Sequence, residues 1–248
     1  MPGVDYLVGS IYHMVHFNNL QNIFQRRALL SKEHIIQERI SYQSIANDEV
    51  QYLRSRIFVK DISTQKYRPL HIYVPFYFAT RTPMLKNKYD EGVQDSIVIL
   101  EASRSILRNQ GVLFTDGNAT LQQLSKFGSE KVYIAPATIT QPSCRRVYHP
   151  DGPWGTNKNH SEFYADVAFL GQLNWDGINR SRYIEDVNEY TRVRSAEVLV
   201  PDKFPLGRIQ AISVRTQSMA QAVNNLIVKS GLEGRIPPAA YKPNLFFY

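Results

Sequence analysis

The chain has 248 residues, a formal net charge of +7 and a sequence pI of about 9.4. Its hydrophobic content of 43% is that of a globular protein, which excludes a largely disordered chain. A single cysteine excludes a disulfide within the chain, and without an HExxH motif or a cysteine cluster we expect no metal site. No apolar run is long enough to span a bilayer and no signal peptide is recognisable, so we expect a cytoplasmic protein without membrane contact.

The predicted elements alternate irregularly between strands and helices. A first strand is predicted over 6–16, and a helix follows over 17–27 because its apolar residues recur at helical spacing. A second short helix is predicted over 46–57. Aromatic and β-branched residues predict a strand over 70–79, in which Pro75 implies an edge position or a bulge.

The second half of the chain contains further short elements and one long irregular segment. Strands are predicted over 96–101, 112–115, 196–200 and 208–214, and helices over 119–126 and 219–229. The segment 131–164 is rich in proline and glycine and is interpreted as an inserted loop or hairpin. Without regular βαβ alternation, the fold class is α+β, and we expect a single domain over 1–248.

Common nucleotide and hydrolase motifs do not occur in the sequence. The patterns GxGxxG, GxxxxGK[ST] and GxSxG are all missing, which argues against Rossmann dinucleotide folds, P-loop NTPases and α/β-hydrolases. Any phosphate binding would therefore depend on arginines and helix N-termini. The basic charge suits a nucleic-acid partner, and it is explained equally well by a solvated lysine surface.

The strand RVRSAEVLV, residues 192–200, contains an unexpected glutamate. Glutamate is depleted in strands, and a buried carboxylate is costly unless it is paired or hydrogen-bonded. Glu197 therefore either faces water at an edge or points into a site that needs a carboxylate.

Three other side chains are candidates, and each has an ordinary structural alternative. His13 lies on the first predicted strand, on the face opposite Tyr12, and taken alone it is a core histidine. Arg54 ends the segment SIANDEVQYLR and taken alone belongs to a solvated helix face. In PFYFATRTPML, alternation separates Tyr77 from the two flanking phenylalanines, whose role is to pack in the core.

Taken together and in order, these segments resemble the DarT-type ADP-ribosyltransferase toxins. The similarity extends from about Tyr6 to Val214, and its pieces are IYHMVHFNNL, SIANDEVQYLR, PFYFATRTPML, QDSIVIL, FTDGNA, LNWDGI and RSAEVLVPDKFP. The resemblance implies an ADP-ribosyltransferase-like fold, in which short strands form a split central sheet with flanking helices. It also implies NAD as co-substrate, a base in single-stranded DNA as acceptor, and a macrodomain antitoxin as partner.

The resemblance also implies roles for individual residues at the NAD site. Glu197 would face the nicotinamide ribose, where a carboxylate can stabilise developing positive charge and accept a proton. Arg54, with Arg56 as a rival, would hold the pyrophosphate and assist catalysis. His13 would hydrogen-bond the ribose hydroxyls, and Tyr77 would contact the nicotinamide side. Beyond these, Asn22 would line the NAD pocket.

The segment 174–194 corresponds to the loop that reads the acceptor in this resemblance. Arginines there suit a phosphate backbone, and aromatic side chains can stack on bases. The predicted substrate-binding residues are Trp175, Arg180, Arg182, Arg192 and Arg194. Taken singly, each of these arginines is better explained by solvent exposure than by DNA binding.

Three alternatives remain open from sequence. An ADP-ribosyltransferase of this fold could act on RNA or on protein, since RNA offers the same stacking faces as single-stranded DNA. A non-catalytic nucleic-acid-binding module would have no use for the four candidates His13, Arg54, Tyr77 and Glu197 together. A structural α+β protein with a basic surface would leave the order of the motifs as coincidence.

Overall fold

The computed structural model describes residues 5–60, 67–120, 125–127, 130–132, 145–146, 161–180 and 188–248. Within these residues the helices are α1 (Leu20–Arg26), α2 (Lys32–Gln37), α3 (Asp48–Arg56), α4 (Pro83–Asp90), α5 (Trp175–Asn179), α6 (Asn188–Arg194) and α7 (Gln217–Lys229). Short 3-10 turns occur at Phe17–Asn19, Leu70–Ile72, Gln94–Ser96, Arg104–Arg108, Val167–Gln172, Leu206–Arg208 and Pro243–Leu245. No helix in this part of the chain is long and apolar enough to cross a membrane.

The strands of the described residues are short. They are β1 (Ser10–His16), β2 (Ala28–Leu30), β3 (Phe58–Lys60), β4 (Tyr67–Pro69), β5 (Tyr73–Tyr77), β6 (Ile97–Ser103), β7 (Leu113–Thr115), β8 (Ser125–Phe127), β9 (Glu130–Val132), β10 (Arg145–Arg146), β11 (Glu162–Tyr164), β12 (Glu197–Pro201), β13 (Lys203–Pro205), β14 (Ile209–Val214) and β15 (Ala239–Tyr241). Nine of them form one sheet in the order β10-β11-β7-β12-β5-β1-β6-β14-β15, antiparallel except at β14–β15. The predicted α+β class is confirmed.

The sheet is divided between β1 and β5. β1 pairs with β6 over seven residues, and β5 pairs with β12 over five, whereas β1 and β5 share the single pair Tyr12–Tyr77. The two strands therefore diverge beyond that pair and leave an opening in the middle of the sheet. This is the split sheet that the resemblance implied.

Pro75 lies inside the sheet, so the prediction of an edge position is wrong. β5 runs between β12 and β1, with Pro75 opposite Leu199 of β12. The Pro75 carbonyl points toward β1, where it accepts a hydrogen bond from His13. In a strand, the amide nitrogen of a residue points to the same side as its carbonyl, so the missing N–H faces the divided part of the sheet. Proline is tolerated there because no ladder bond is lost.

The two faces of the sheet are covered by separate hydrophobic clusters. The larger cluster contains Ile11, Phe76 and Val98 together with α1 and the apolar side of α7. Burying Phe76 alone contributes roughly 2–3 kcal/mol of hydrophobic free energy. The other face carries a smaller cluster around Met14 and Leu85, the latter from α4. Both clusters fix the strands that flank the opening.

In the middle of the chain, one predicted segment differs from the structure and another lies largely outside the described residues. Ser125–Phe127 is a strand paired with Glu130–Val132, so a helix extending over 119–126 is wrong at its end. Pairing with a neighbouring strand outweighs weak helical periodicity in so short a segment. Of the predicted insertion at 131–164, the described parts include Arg145–Arg146 and Glu162–Tyr164, which pair with each other at one end of the large sheet.

Candidate active site

Glu197 is buried in the centre of the sheet and paired with Arg54. It begins β12, between β5 and β7, and is 1% exposed. Its Oε2 accepts a hydrogen bond of 2.8 Å from Nη1 of Arg54, which is itself buried. Its Oε1 accepts a second hydrogen bond of 3.0 Å from the backbone N–H of Ala119. The strand glutamate therefore has both oxygens satisfied, which accounts for its burial.

Helix α3 delivers Arg54 to this pair. Asn47 caps the helix, because its side-chain oxygen accepts from the backbone N–H of Glu49 at 2.8 Å. Acidic residues occupy the first turn and Arg54 lies in the last, an arrangement that the helix dipole favours. Nη2 of Arg54 is buried and, among the described residues, has no hydrogen-bond partner. A buried donor without a partner is costly, so this atom is suited to an anionic ligand.

His13 lies on β1 at the division of the sheet. Its Nδ1 donates to the Pro75 carbonyl at 2.7 Å, which leaves Nε2 with a lone pair. Burial lowers the pKa of His13 below its ordinary value, although the bond to Pro75 opposes this shift. At neutral pH the ring is therefore uncharged, and Nε2 can accept a hydrogen bond from a hydroxyl.

Tyr77 stands next to the Arg54–Glu197 pair. It lies opposite Glu197 in the β5–β12 ladder, and its hydroxyl is 3.8 Å from Sδ of Met84. Burial, followed by the Glu197 charge, raises the pKa of Tyr77 well above its ordinary value, while Arg54 acts in the opposite direction. The phenol therefore keeps its proton and can donate a hydrogen bond at physiological pH.

One cavity of about 360 Å³ brings the predicted residues together. His13, Asn22, Arg54, Tyr77 and Glu197 all line it. His13 and Tyr77 project from opposite faces of the sheet, because Tyr77 pairs with Tyr12 and successive residues alternate. Both reach the same cavity only because the strands diverge there. In the described part of the chain, no group of three His, Cys, Asp or Glu side chains could hold a metal ion.

Asn22 shapes the cavity wall through the loop of residues 40–47. Its side-chain amide donates to the Ser41 carbonyl at 3.0 Å. Asn19 donates to the carbonyl of Gln43 at 2.8 Å and accepts from its N–H at 2.7 Å. These bonds tie the loop to the start of α1, and residues 40 and 42–47 line the cavity. Sequence reasoning missed this loop, whose only local signal is the asparagine-rich start of the helix.

Trp175 packs within the protein. Its ring stacks on Tyr6 at 5.3 Å, and its indole N–H donates to the Leu170 carbonyl at 2.7 Å. The Arg104 guanidinium lies 4.5 Å from its ring centroid. Its predicted contact with DNA stays a prediction, and the contacts seen give it a structural role.

The four predicted acceptor arginines have different surroundings. Arg180 is exposed, and Arg182 lies outside the described residues. Arg192 is buried and pairs with Asp116 at 3.1 Å. Arg194 is also buried, and its guanidinium donates to the carbonyls of Arg81, Ile178 and Arg180. Arg192 and Arg194 are therefore buried, unlike Arg180, and the role of all four arginines toward DNA stays a prediction.

The segment FTDGNA forms a turn whose link to the site was not expected from sequence. In the sequence it is one of the segments that carry the resemblance, and in the structure it supplies the Ala119 N–H that binds Glu197. Gly117 lies where the packing leaves no room for a side chain, because an added Cβ would lie 2.8 Å from Oγ of Ser161. Asn118 lines the cavity as well.

Comparison with known proteins identifies the family. A sequence model described as "ssDNA thymidine ADP-ribosyltransferase, DarT" matches residues 12–140 and 151–247. The chain belongs to the DarT family. The predicted DarT-type, NAD-dependent DNA ADP-ribosyltransferase is confirmed at the level of the family. Residues 141–150, outside the match, lie within the predicted insertion.

Similar proteins of the DarT family agree with this match over nearly the whole chain. A DNA ADP-ribosyl transferase of Thermus sp. (strain 2.9) is 28% identical over 244 residues, covering 96% of this chain and 95% of that protein. The structure of Thermus sp. 2.9 DarT in complex with ADP-ribosylated ssDNA superimposes with a TM-score of 0.73 and 26% identity, covering 96% of each chain. Thermus sp. 2.9 DarT in complex with NAD+ gives a TM-score of 0.69 and 25% identity, covering 96% and 97%. The predicted fold is confirmed.

We expect NAD binding to this DarT-family chain to weaken at acidic pH because of His13. The lowered pKa of His13 keeps Nε2 unprotonated at pH 6.5 and above, so affinity should be constant from pH 8 to 6.5. At lower pH the ring gains a proton and Nε2 can no longer accept, which should weaken binding about tenfold. Calorimetric titration with NAD at several pH values measures this. His13→Ala should bind NAD weakly at every pH, and a wild-type affinity in this variant would contradict the assignment.

We expect His71 to make the fold less stable as the pH falls below 6.5. Burial, with the Arg54 and Lys32 charges, lowers the pKa of His71 to about 4. Between pH 6.5 and 4 the unfolded chain takes up a proton that the folded chain does not, so the free energy of unfolding decreases by about 1–2 kcal/mol once solvent screening is allowed for. Urea unfolding at pH 7 and pH 4.5 tests this. The unfolding free energy of His71→Gln should decrease less between these two pH values, and an equal decrease in both proteins would refute the role of His71.

Proposed function

We propose that the chain transfers ADP-ribose from NAD to thymidine bases of single-stranded DNA. The observation that carries the proposal is the buried Arg54–Glu197 pair on the wall of the cavity, where Nη2 of Arg54 has no hydrogen-bond partner among the described residues. The description of the matching family names thymidine in ssDNA as the acceptor. One related protein, Thermus sp. 2.9 DarT, has been solved both with NAD+ and with ADP-ribosylated ssDNA, which supports the same pair of substrates here.

The residues around the cavity fit NAD. Nη2 of Arg54 would donate to the pyrophosphate, which replaces a missing partner with a charged one. Nε2 of His13 would accept from a ribose hydroxyl, since its Nδ1 is already bonded to Pro75. Tyr77 would donate a hydrogen bond from its phenol on the nicotinamide side, because its raised pKa keeps the phenol protonated.

Glu197 would interact with both NAD and the acceptor base during transfer. When bound, NAD supplies an ADP-ribosyl group whose ribose gains positive charge as the bond to nicotinamide breaks. The Glu197 carboxylate stabilises this charge from a site shielded from water, where electrostatic interactions are strong. The bond to nicotinamide is replaced by a bond to the base, and the proton that the base loses passes to the carboxylate. Arg54 and the Ala119 N–H hold the carboxylate in place throughout.

We further propose that this activity makes the chain a cytoplasmic toxin restrained by a macrodomain antitoxin. Membership of the DarT family and the resemblance of its motifs support this assignment. Bulky adducts on bases would obstruct replication, so induced expression in bacteria should arrest growth. Glu197→Gln should be harmless at equal protein levels, and co-expression of an ADP-ribose-removing macrodomain should restore growth. Equal toxicity of the wild type and this variant would reject the proposal.

The test of the transferase activity is intact-mass analysis of oligonucleotides after incubation with NAD. Thymidine-containing single strands, the matched duplex, the matched RNA and a single strand without thymidine are compared, with Glu197→Gln as the control. We expect one added ADP-ribose on the thymidine-containing single strand only. Addition to RNA alone would overturn the acceptor. If NAD bound and no oligonucleotide were modified, the proposed acceptor would be wrong, and absence of NAD binding would reject the enzyme.

A further inference from the structure

The turn of residues 116–119 is held on several sides. Thr115 precedes it, and its hydroxyl donates to the Gly117 carbonyl at 2.6 Å while accepting from the N–H of Glu197 at 3.0 Å. Ser161 donates to another backbone carbonyl of the turn at 2.6 Å. The turn ends with the Ala119 N–H, which lies 3.0 Å from Oε1 of Glu197. The position of this turn therefore determines one of the two donors on the carboxylate.

Arg192 contacts the same turn from α6. Its Nη1 lies 3.1 Å from both the backbone carbonyl and Oδ2 of Asp116. Both side chains are buried, at 6% and 5% exposure. The stem of Arg192 passes so close to Gly117 that an added Cβ there would lie 2.9 Å from its Cγ. A buried ion pair with additional backbone contacts fixes the turn against α6.

We propose that Arg192 is a positioning residue for Glu197, acting through Asp116 and the turn of residues 116–119. The guanidinium holds the turn, the turn presents the Ala119 N–H, and that N–H fixes Oε1. Arg54 fixes Oε2 from the other side. Two donors on two oxygens define the plane of the carboxylate, whereas one donor would allow it to rotate. The catalytic consequence rests on the proposed transferase function.

This role differs from the one that the sequence suggested for Arg192. An arginine that binds a DNA phosphate contributes to the affinity for DNA and to its dependence on salt. A positioning arginine contributes to the rate of transfer once both substrates are bound, because misplacing a catalytic group by about 1 Å can cost 10²-fold. Measuring kcat, the KM for DNA and the salt dependence of that KM therefore distinguishes the two roles.

The kinetic test uses the double variant Asp116→Asn with Arg192→Met, which removes both charges of the buried pair. We expect kcat for oligonucleotide modification to fall about 10- to 100-fold, with the KM for DNA, its salt dependence and the Kd for NAD within about twofold of wild type. Arg192→Lys, which keeps the charge, should recover part of the rate and serves if the double variant does not fold. Arg180→Met, an exposed arginine of the same segment, should instead raise the KM for DNA and flatten its salt dependence.

A second measurement needs no substrate. Hydrogen exchange of the Ala119 amide reports its bond to Glu197, and we expect exchange at least about tenfold faster in the double variant and in Arg192→Lys than in Arg180→Met. Unchanged protection of this amide in both Arg192 variants would overturn the inference, as would an intact kcat with a raised KM for DNA. If the wild type modified no DNA, the transferase function would fail while the exchange result would still decide the role of Arg192.

Discussion

Glu197→Gln should reduce transfer of ADP-ribose to DNA by about 10³-fold while leaving the Kd for NAD within about threefold of wild type. The amide keeps the shape of the side chain and removes the negative charge that we propose stabilises the ribose in the transition state. It also cannot accept from both Arg54 and the Ala119 N–H, because one of its two terminal atoms is itself a donor. We therefore expect the unfolding free energy to fall by about 1–3 kcal/mol as well. Single-turnover assays, NAD titration and urea unfolding measure the three quantities.

Glu101→Gln is the matched control for this substitution. Glu101 lies in the same row across the sheet, because Glu197 pairs with Tyr77, Tyr77 with Tyr12, and Tyr12 with Glu101. Three strand spacings separate the two carboxylates by roughly 14 Å, and Glu101 does not line the cavity. The Glu101→Gln variant should therefore transfer ADP-ribose at the wild-type rate. Full activity of Glu197→Gln, or an equal loss in Glu101→Gln, would show that the charge of Glu197 is not used in catalysis.

The sequence was sufficient to predict five of the side chains that surround the cavity, but not the loop of residues 40–47. Glu197 was conspicuous because a carboxylate in an apolar strand needs a reason, and its reason is the ion pair with Arg54. His13 and Tyr77 were predicted by their place on strands, together with the resemblance to a known family. What the alternation of residues could not predict was that the two side chains, from opposite faces, reach one cavity. That depends on the divergence of β1 and β5, which no local pattern encodes.

The buried arginines were beyond sequence reasoning for a related reason. Local composition shows a basic run before β12, which resembles a phosphate-binding segment. The partners that bury these side chains are far away in the chain: Asp116 lies 76 residues from Arg192, and Arg81 lies 113 residues from Arg194. Burial of an arginine depends on such non-local acceptors, since an unpaired guanidinium would remain in water. Only the folded structure reveals which arginines are paired with such acceptors.

Arg54→Ala should weaken NAD binding by about 10- to 100-fold and should also destabilise the fold. The affinity falls because Nη2 of Arg54, which has no partner within the described part of the chain, would lose its bond to the pyrophosphate, and a hydrogen bond to a charged group is worth about 1.5–3 kcal/mol. Stability falls because Glu197 would be left buried without its cation, at a cost of about 3–5 kcal/mol. Calorimetric titration with NAD and urea unfolding give both values.

Two further variants separate the effects of Arg54 on binding and on stability. Arg54→Met combined with Glu197→Gln removes both charges, so it should recover much of the lost stability and none of the NAD affinity. Arg56→Ala is the control for a nearby cation, because Arg56 lies in the same helix turn with its guanidinium 5.0 Å from the exposed Tyr52 ring. It should bind NAD as the wild type does. If Arg54→Ala kept full affinity while Arg56→Ala lost it, the pyrophosphate contact would belong to Arg56, and the Arg54–Glu197 pair would serve to hold the carboxylate alone.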